Sequence, residues 1–88
     1  MNYFKTTKPL AEAKSIIKSW KAYDYEYCLL AMKDDSTIVI SNSEKLTHQL
    51  EVASVDFNEV SIPKKEIETI HQKQMYKATQ GNNSLLLE

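Results

Sequence analysis

The sequence predicts an α+β fold, one small domain in which an antiparallel sheet carries helices packed on one face. Three observations predict it. Residues 9–22 space their apolar side chains at helical intervals behind Pro9, and residues 25–32 and 37–40 are two β-rich runs separated by Lys33-Asp34-Asp35-Ser36. Ser41 stands three residues before Glu44, the spacing of a capping box at the start of a second helix. A chain of 88 residues can bury about three-fifths of its unfolded surface in one core, so residues 1–80 are read as a single domain.

Each element follows from local chemistry. Asn2 to Thr6 reads as a first strand ahead of Pro9, which opens the helix of residues 9–22 because its missing N–H would be unpaired in the first turn anyway. Leu10, Ala13, Ile16, Ile17 and Trp20 occupy an arc of about 120° on that helix, with Lys14, Lys18 and Lys21 along one edge. Tyr25 to Met32 and Thr37 to Ile40 form a hairpin. The second helix runs from Ser41 to about Ala53 with only Leu46, Leu50 and Ala53 in its apolar arc, which makes it peripheral.

Val55 and Phe57 alternate, as do Val60 and Ile62, but the two pairs are out of phase. One strand with a bulge near Asn58-Glu59 is expected there. Pro63 opens a last helix through about Lys77, with Ile67, Ile70, His71, Gln74, Met75 and Ala78 on one side. Residues 81–88 read as a flexible tail, and Leu87-Glu88 as a cloning remnant set apart from the fold. Ile17, Trp20, Leu30, Ile40, Leu46, Leu50 and Ile67 are expected to share one core.

The order of these elements over residues 2–62, β-α-β-β-α-β, resembles the split β-α-β or ferredoxin-like arrangement, here with an added C-terminal helix. The resemblance is one of element order and rests on no sequence motif. Without the first strand the order becomes α-β-β-α-β-α with three strands.

Composition excludes several classes of function. No run approaches the roughly twenty apolar residues of a membrane span, and MNYFKTTKPL lacks the apolar stretch of a secretory signal, so a cytoplasmic location is expected. One cysteine, Cys28, cannot form an internal disulfide, and with two histidines no Cys/His zinc spacing exists. No metal or cofactor is expected. The single glycine, Gly81, leaves no glycine-rich loop to cradle a phosphate. All eleven basic residues are lysine, so the planar fork that grips guanine edges is missing. The same lysine bias suits an AT-rich coding sequence, such as that of a low-GC bacterium or its phage.

Charge is segregated along the chain: +4 over residues 1–21, −6 over 22–62 and +1 over 63–88, for a net −1. Such a pattern reads as mutually neutralising solvated faces, or as a bipolar surface that orients a partner. Cys28 shares the parity of Leu30 and Met32 and is expected to be buried against the helices. His71 falls in the apolar arc of the last helix and is expected to be packed, whereas His48 points away from Leu46 into solvent. A Cys28/His71 nucleophile and base has no specific support, and no catalytic residue is assigned.

Tyr23, Tyr25 and Tyr27 alternate on the opposite face from Cys28 and Leu30, which is the open face if the helices cover one side only. Tyrosines in that position shield the outer sheet or form a protein interface. The expected function is accordingly that of a small cytoplasmic module without catalytic activity. It would bind another protein, or a second copy of itself as a homodimer, as a regulator or inhibitor through Tyr23, Tyr25 and Tyr27. The alternative is weak, non-sequence-specific nucleic-acid binding through Lys14, Lys18 and Lys21, which the acidic middle of the chain opposes.

Overall fold

The computed structural model describes residues 2–20, 25–41, 43–52, 57–61, 67–79 and 82–86. Its elements in chain order are β1 (Asn2–Thr6), α1 (Leu10–Ser19), β2 (Tyr25–Met32), β3 (Thr37–Ser41), α2 (Glu44–Val52), β4 (Asn58–Val60), β5 (Ile70–Thr79) and β6 (Asn82–Leu86). A short 3-10 turn, Ile67–Thr69, leads into β5. The molecule is an α+β domain: the six described strands form one sheet in the order β4-β1-β3-β2-β5-β6, and every pairing is antiparallel. β1 and β2 therefore run in the same direction with β3 between them.

α1 begins where expected. Pro9 lies just outside the helix at φ −66, and its carbonyl accepts the Ala13 N–H at 3.0 Å. Glu12 in the first turn and Lys18 in the last complement the helix dipole. The helix stops at Ser19 and does not reach residue 22, because Trp20 turns extended and donates its N–H back to the Ile17 carbonyl at 3.0 Å. That turn sends the Trp20 ring edge-on to Phe57, with centroids 5.9 Å apart. Ala13 and Ile17 are the buried residues of α1.

Entry to α1 is tied to the sheet. The Thr6 hydroxyl accepts the Lys8 N–H, and the Thr37 hydroxyl donates to the Lys8 carbonyl at 2.8 Å, which satisfies two buried hydroxyls on neighbouring strands.

The β2–β3 hairpin turns on Asp34 and Asp35. Asp35 carries a positive φ of 68, a conformation that aspartate tolerates better than most side chains. One Asp34 carboxylate oxygen accepts both the N–H and the hydroxyl of Ser36. Those bonds hold the Asp34 carboxyl below its ordinary value of 3.8, with the Lys5 charge adding a smaller push in the same direction.

The start of α2 corrects the capping expectation. Ser41 is the last residue of β3, and it is the Ser43 carbonyl that accepts the Thr47 N–H, at 2.9 Å. Ser41 acts one step earlier. Its hydroxyl donates to the Ser43 carbonyl at 2.9 Å and lies 3.0 Å from the Thr47 hydroxyl, while the Asn2 amide donates to Thr47 at 3.1 Å. The serine thus joins strand to helix through side chains rather than by capping. Leu46 and Leu50 are buried as expected, and residue 53 lies outside the described residues.

The C-terminal third departs furthest from expectation. Residues 70–79 are a strand, not a helix, and pair with the whole of β2 from Tyr25↔Ala78 to Met32↔Ile70. Physically, β2 is apolar on both faces and makes a poor sheet edge, so a neighbour that satisfies its outer row of N–H and C=O groups outweighs a weak helical arc containing His71 and Gln74. Residues 82–86, expected in a flexible tail, form β6 and close the hairpin on β5, from Thr79↔Asn82 to Met75↔Leu86. Pro63 and residues 87 and 88 lie outside the described residues. β4 occupies three residues of the strand expected around the Asn58-Glu59 irregularity, pairing with β1 as the opposite edge.

Side-chain alternation splits the interior in two. The larger cluster joins Ile17 of α1 and Leu46 and Leu50 of α2 to Phe4, Tyr27, Leu29, Val39, Phe57 and Tyr76, so both helices lie on one face of the sheet. The second cluster, Cys28, Leu30, Met32 and Ile38, consists of strand residues alone. The single core expected for Ile17, Trp20, Leu30, Ile40, Leu46, Leu50 and Ile67 is therefore divided. Ile17, Leu46 and Leu50 are on the helix side with Trp20 packed against them, and Leu30 and Ile40 are on the other. The side chain of Ile67 is outside the described residues.

Candidate interface

Tyr27 lies on the face opposite to the one expected. Tyr27 is fully buried on the helix-covered side and stacks on Tyr76 of β5, with ring centroids 5.3 Å apart and planes 18° from parallel. The Lys14 ammonium of α1 sits 4.9 Å from the Tyr76 ring centre, a cation–π contact that closes the stack from above. The Tyr76 hydroxyl donates to the Gln74 side-chain oxygen, and desolvation raises its pKa above the ordinary value of 10.0. Tyr27 is thus a core residue and not part of an outer face. Tyr23 and the Tyr25 side chain lie outside the described residues; the backbone of Tyr25 pairs with Ala78 at the end of β2.

Cys28 is buried, as expected, but on the sheet face opposite α1 and α2. The register there aligns a row across all six described strands: Val60 opposite Tyr3, Tyr3 opposite Ile40, Ile40 opposite Cys28, Cys28 opposite Met75 and Met75 opposite Leu86. No position in this row is charged. In the adjoining row Lys5, Ile38, Leu30 and Lys73 stand side by side, so lysines flank two apolar residues. Tyr3, Ile40, Ile70 and Met75 are only partly buried and form the rim of the cluster.

A register shift between Ala31 and Met32 completes the arrangement. Met32 pairs with Ile70, which brings Ile70 to the cluster and leaves His71 as the extra residue on the bulged strand. His71 is therefore exposed in a strand, not packed in a helix, while His48 is exposed on α2 as expected. Beside this end of the cluster, Lys5, Met32, Lys33, Asp34, Ser36 and Thr69 line a cleft of about 240 Å³. Among the described residues, no group of three histidine, cysteine, aspartate or glutamate side chains converges.

The lysines of α1 are not equivalent. Lys14 is half-buried over Tyr76, Lys18 is exposed, and Lys21 lies outside the described residues. The rim residues Tyr3, Ile40, Ile70 and Met75 were not singled out from the sequence as a surface. The signal that could have found them is the shared parity of Tyr3, Cys28, Ile38 and Ile40 on three neighbouring strands, readable only once the register is known.

No protein-family model matches the chain, and neither a curated protein nor a solved structure matches it. Among the described residues, no helix is long and apolar enough to cross a membrane.

Proposed function

We propose that this chain is a small cytoplasmic module that binds a protein partner, a second copy of itself included, and acts as a regulator or inhibitor rather than a catalyst. The observation that carries the reading is the second apolar cluster. α1 and α2 pack on one cluster, and the opposite face of the sheet also presents Tyr3, Ile40, Ile70 and Met75 around Cys28, Leu30, Met32 and Ile38. An uncharged cross-strand row with partly exposed aromatic, aliphatic and thioether groups matches the centre of protein interfaces, where charged residues are depleted and tyrosine and methionine enriched. The interface thus moves from Tyr27 to the opposite face of the same strand.

The first six elements are read here as the ferredoxin-like arrangement. Their β-α-β-β-α-β sequence, the spatial order β4-β1-β3-β2 and the two helices on one face support that reading, with the β5–β6 hairpin extending the sheet beyond β2. Nucleic-acid binding through Lys14, Lys18 and Lys21 is the less favoured function, because Lys14 would have to leave the Tyr76 ring to meet a phosphate.

Sedimentation over a wide concentration range tests self-association, comparing wild type with an Ile40→Lys/Met75→Lys double variant, alongside thermal unfolding. The expected result is a concentration-dependent dimer that the double variant loses while its unfolding transition stays cooperative. A wild type that is monomeric throughout overturns self-association. A double variant that unfolds early yet associates as before shows that the rim serves the core alone.

A further inference from the structure

We draw no further inference here: the strongest candidate, the apolar cluster of Cys28, Leu30, Met32 and Ile38 on the sheet face opposite α1 and α2, with its rim of Tyr3, Ile40, Ile70 and Met75, belongs to the site already described, and nothing among the described residues shows what covers it.

Discussion

Tyr27 and Tyr76 are directly opposite each other across the β2–β5 ladder, and their rings stack at 5.3 Å on the side facing α1. The pair does for β2 and β5 what a salt bridge does for two loops, but through a buried apolar contact that salt does not screen. Truncating either ring removes a large, fully buried side chain, and Tyr27→Ala or Tyr76→Ala should each cost about 3–5 kcal/mol. A double-mutant cycle in denaturant should return a coupling of roughly 0.5–1.5 kcal/mol, the excess of a stacked pair over its burial. Additive single costs would mean that the rings are buried separately.

The Ser41–Thr47 contact predicts a different kind of loss. Thr47→Val keeps the shape but removes the hydroxyl that donates to Ser41, whose own proton goes to the Ser43 carbonyl, and that accepts from the Asn2 amide. The expected cost is about 1–3 kcal/mol, read as a lower denaturation midpoint at unchanged slope. The Ser41→Ala/Thr47→Val pair should cost less than the sum of the single changes, since it removes both partners together.

The hairpin turn makes the stability sensitive to acid. The Asp34 carboxyl is held below its ordinary value in the folded chain, so its contribution is present above the unfolded value of 3.8 and is lost as pH falls through the folded one. Wild type should therefore lose stability on acidification below about pH 4 more steeply than Asp34→Asn does. Parallel acid-unfolding curves for the two proteins would show that the Ser36 bonds do not favour the ionised form.

Asp35 offers a gain instead of a loss. Its φ of 68 is open to glycine without a Cβ penalty, so Asp35→Gly should leave stability unchanged or raise it by up to about 1 kcal/mol. A β-branched replacement, Asp35→Val, should lower the melting temperature. Thermal unfolding of the two variants side by side distinguishes backbone strain from a role for the carboxylate.

Tyr76 adds a second limit at high pH. Burial raises its phenol pKa, so the neutral form is favoured in the folded chain, and the associated stability is complete below the unfolded value near 10 and declines as pH rises through the folded one. Tyr76→Phe should remove that alkaline decline, measured as the pH dependence of the unfolding midpoint between about pH 9 and 12.

Local chemistry was legible where it was redundant. Pro9, the Lys33-Asp34-Asp35-Ser36 turn and the β-branched run Thr37 to Ile40 each point one way, and β1, α1, β2 and β3 stand within a few residues of their expected limits. The facing of β2 was not legible, because both of its faces are apolar: Tyr27 and Leu29 on one side, Cys28 and Leu30 on the other. Parity tells which residues share a face but not which face meets the helices. The C-terminal strands failed for a related reason. The run from Ile70 to Thr79 has only a weak helical arc, and what fixes it as a strand is the unpaired edge of β2, far away in sequence. A local signal was nevertheless present in the sequence, since a glycine falls in the two-residue interval between Thr79 and Asn82, a spacing common between paired antiparallel strands.

The late position of β5 in the chain has a consequence for how the molecule is made. A nascent chain leaves the ribosome with β1, β3 and both helices available for docking well before residue 70 appears, so β2 spends that interval as a bare sheet margin with tyrosine, leucine and methionine side chains on either side. During that interval it is a template for strands of neighbouring molecules. Slow translation through the codons for residues 70–86 should thus favour insoluble product, and a chaperone that shields extended apolar segments should suppress it.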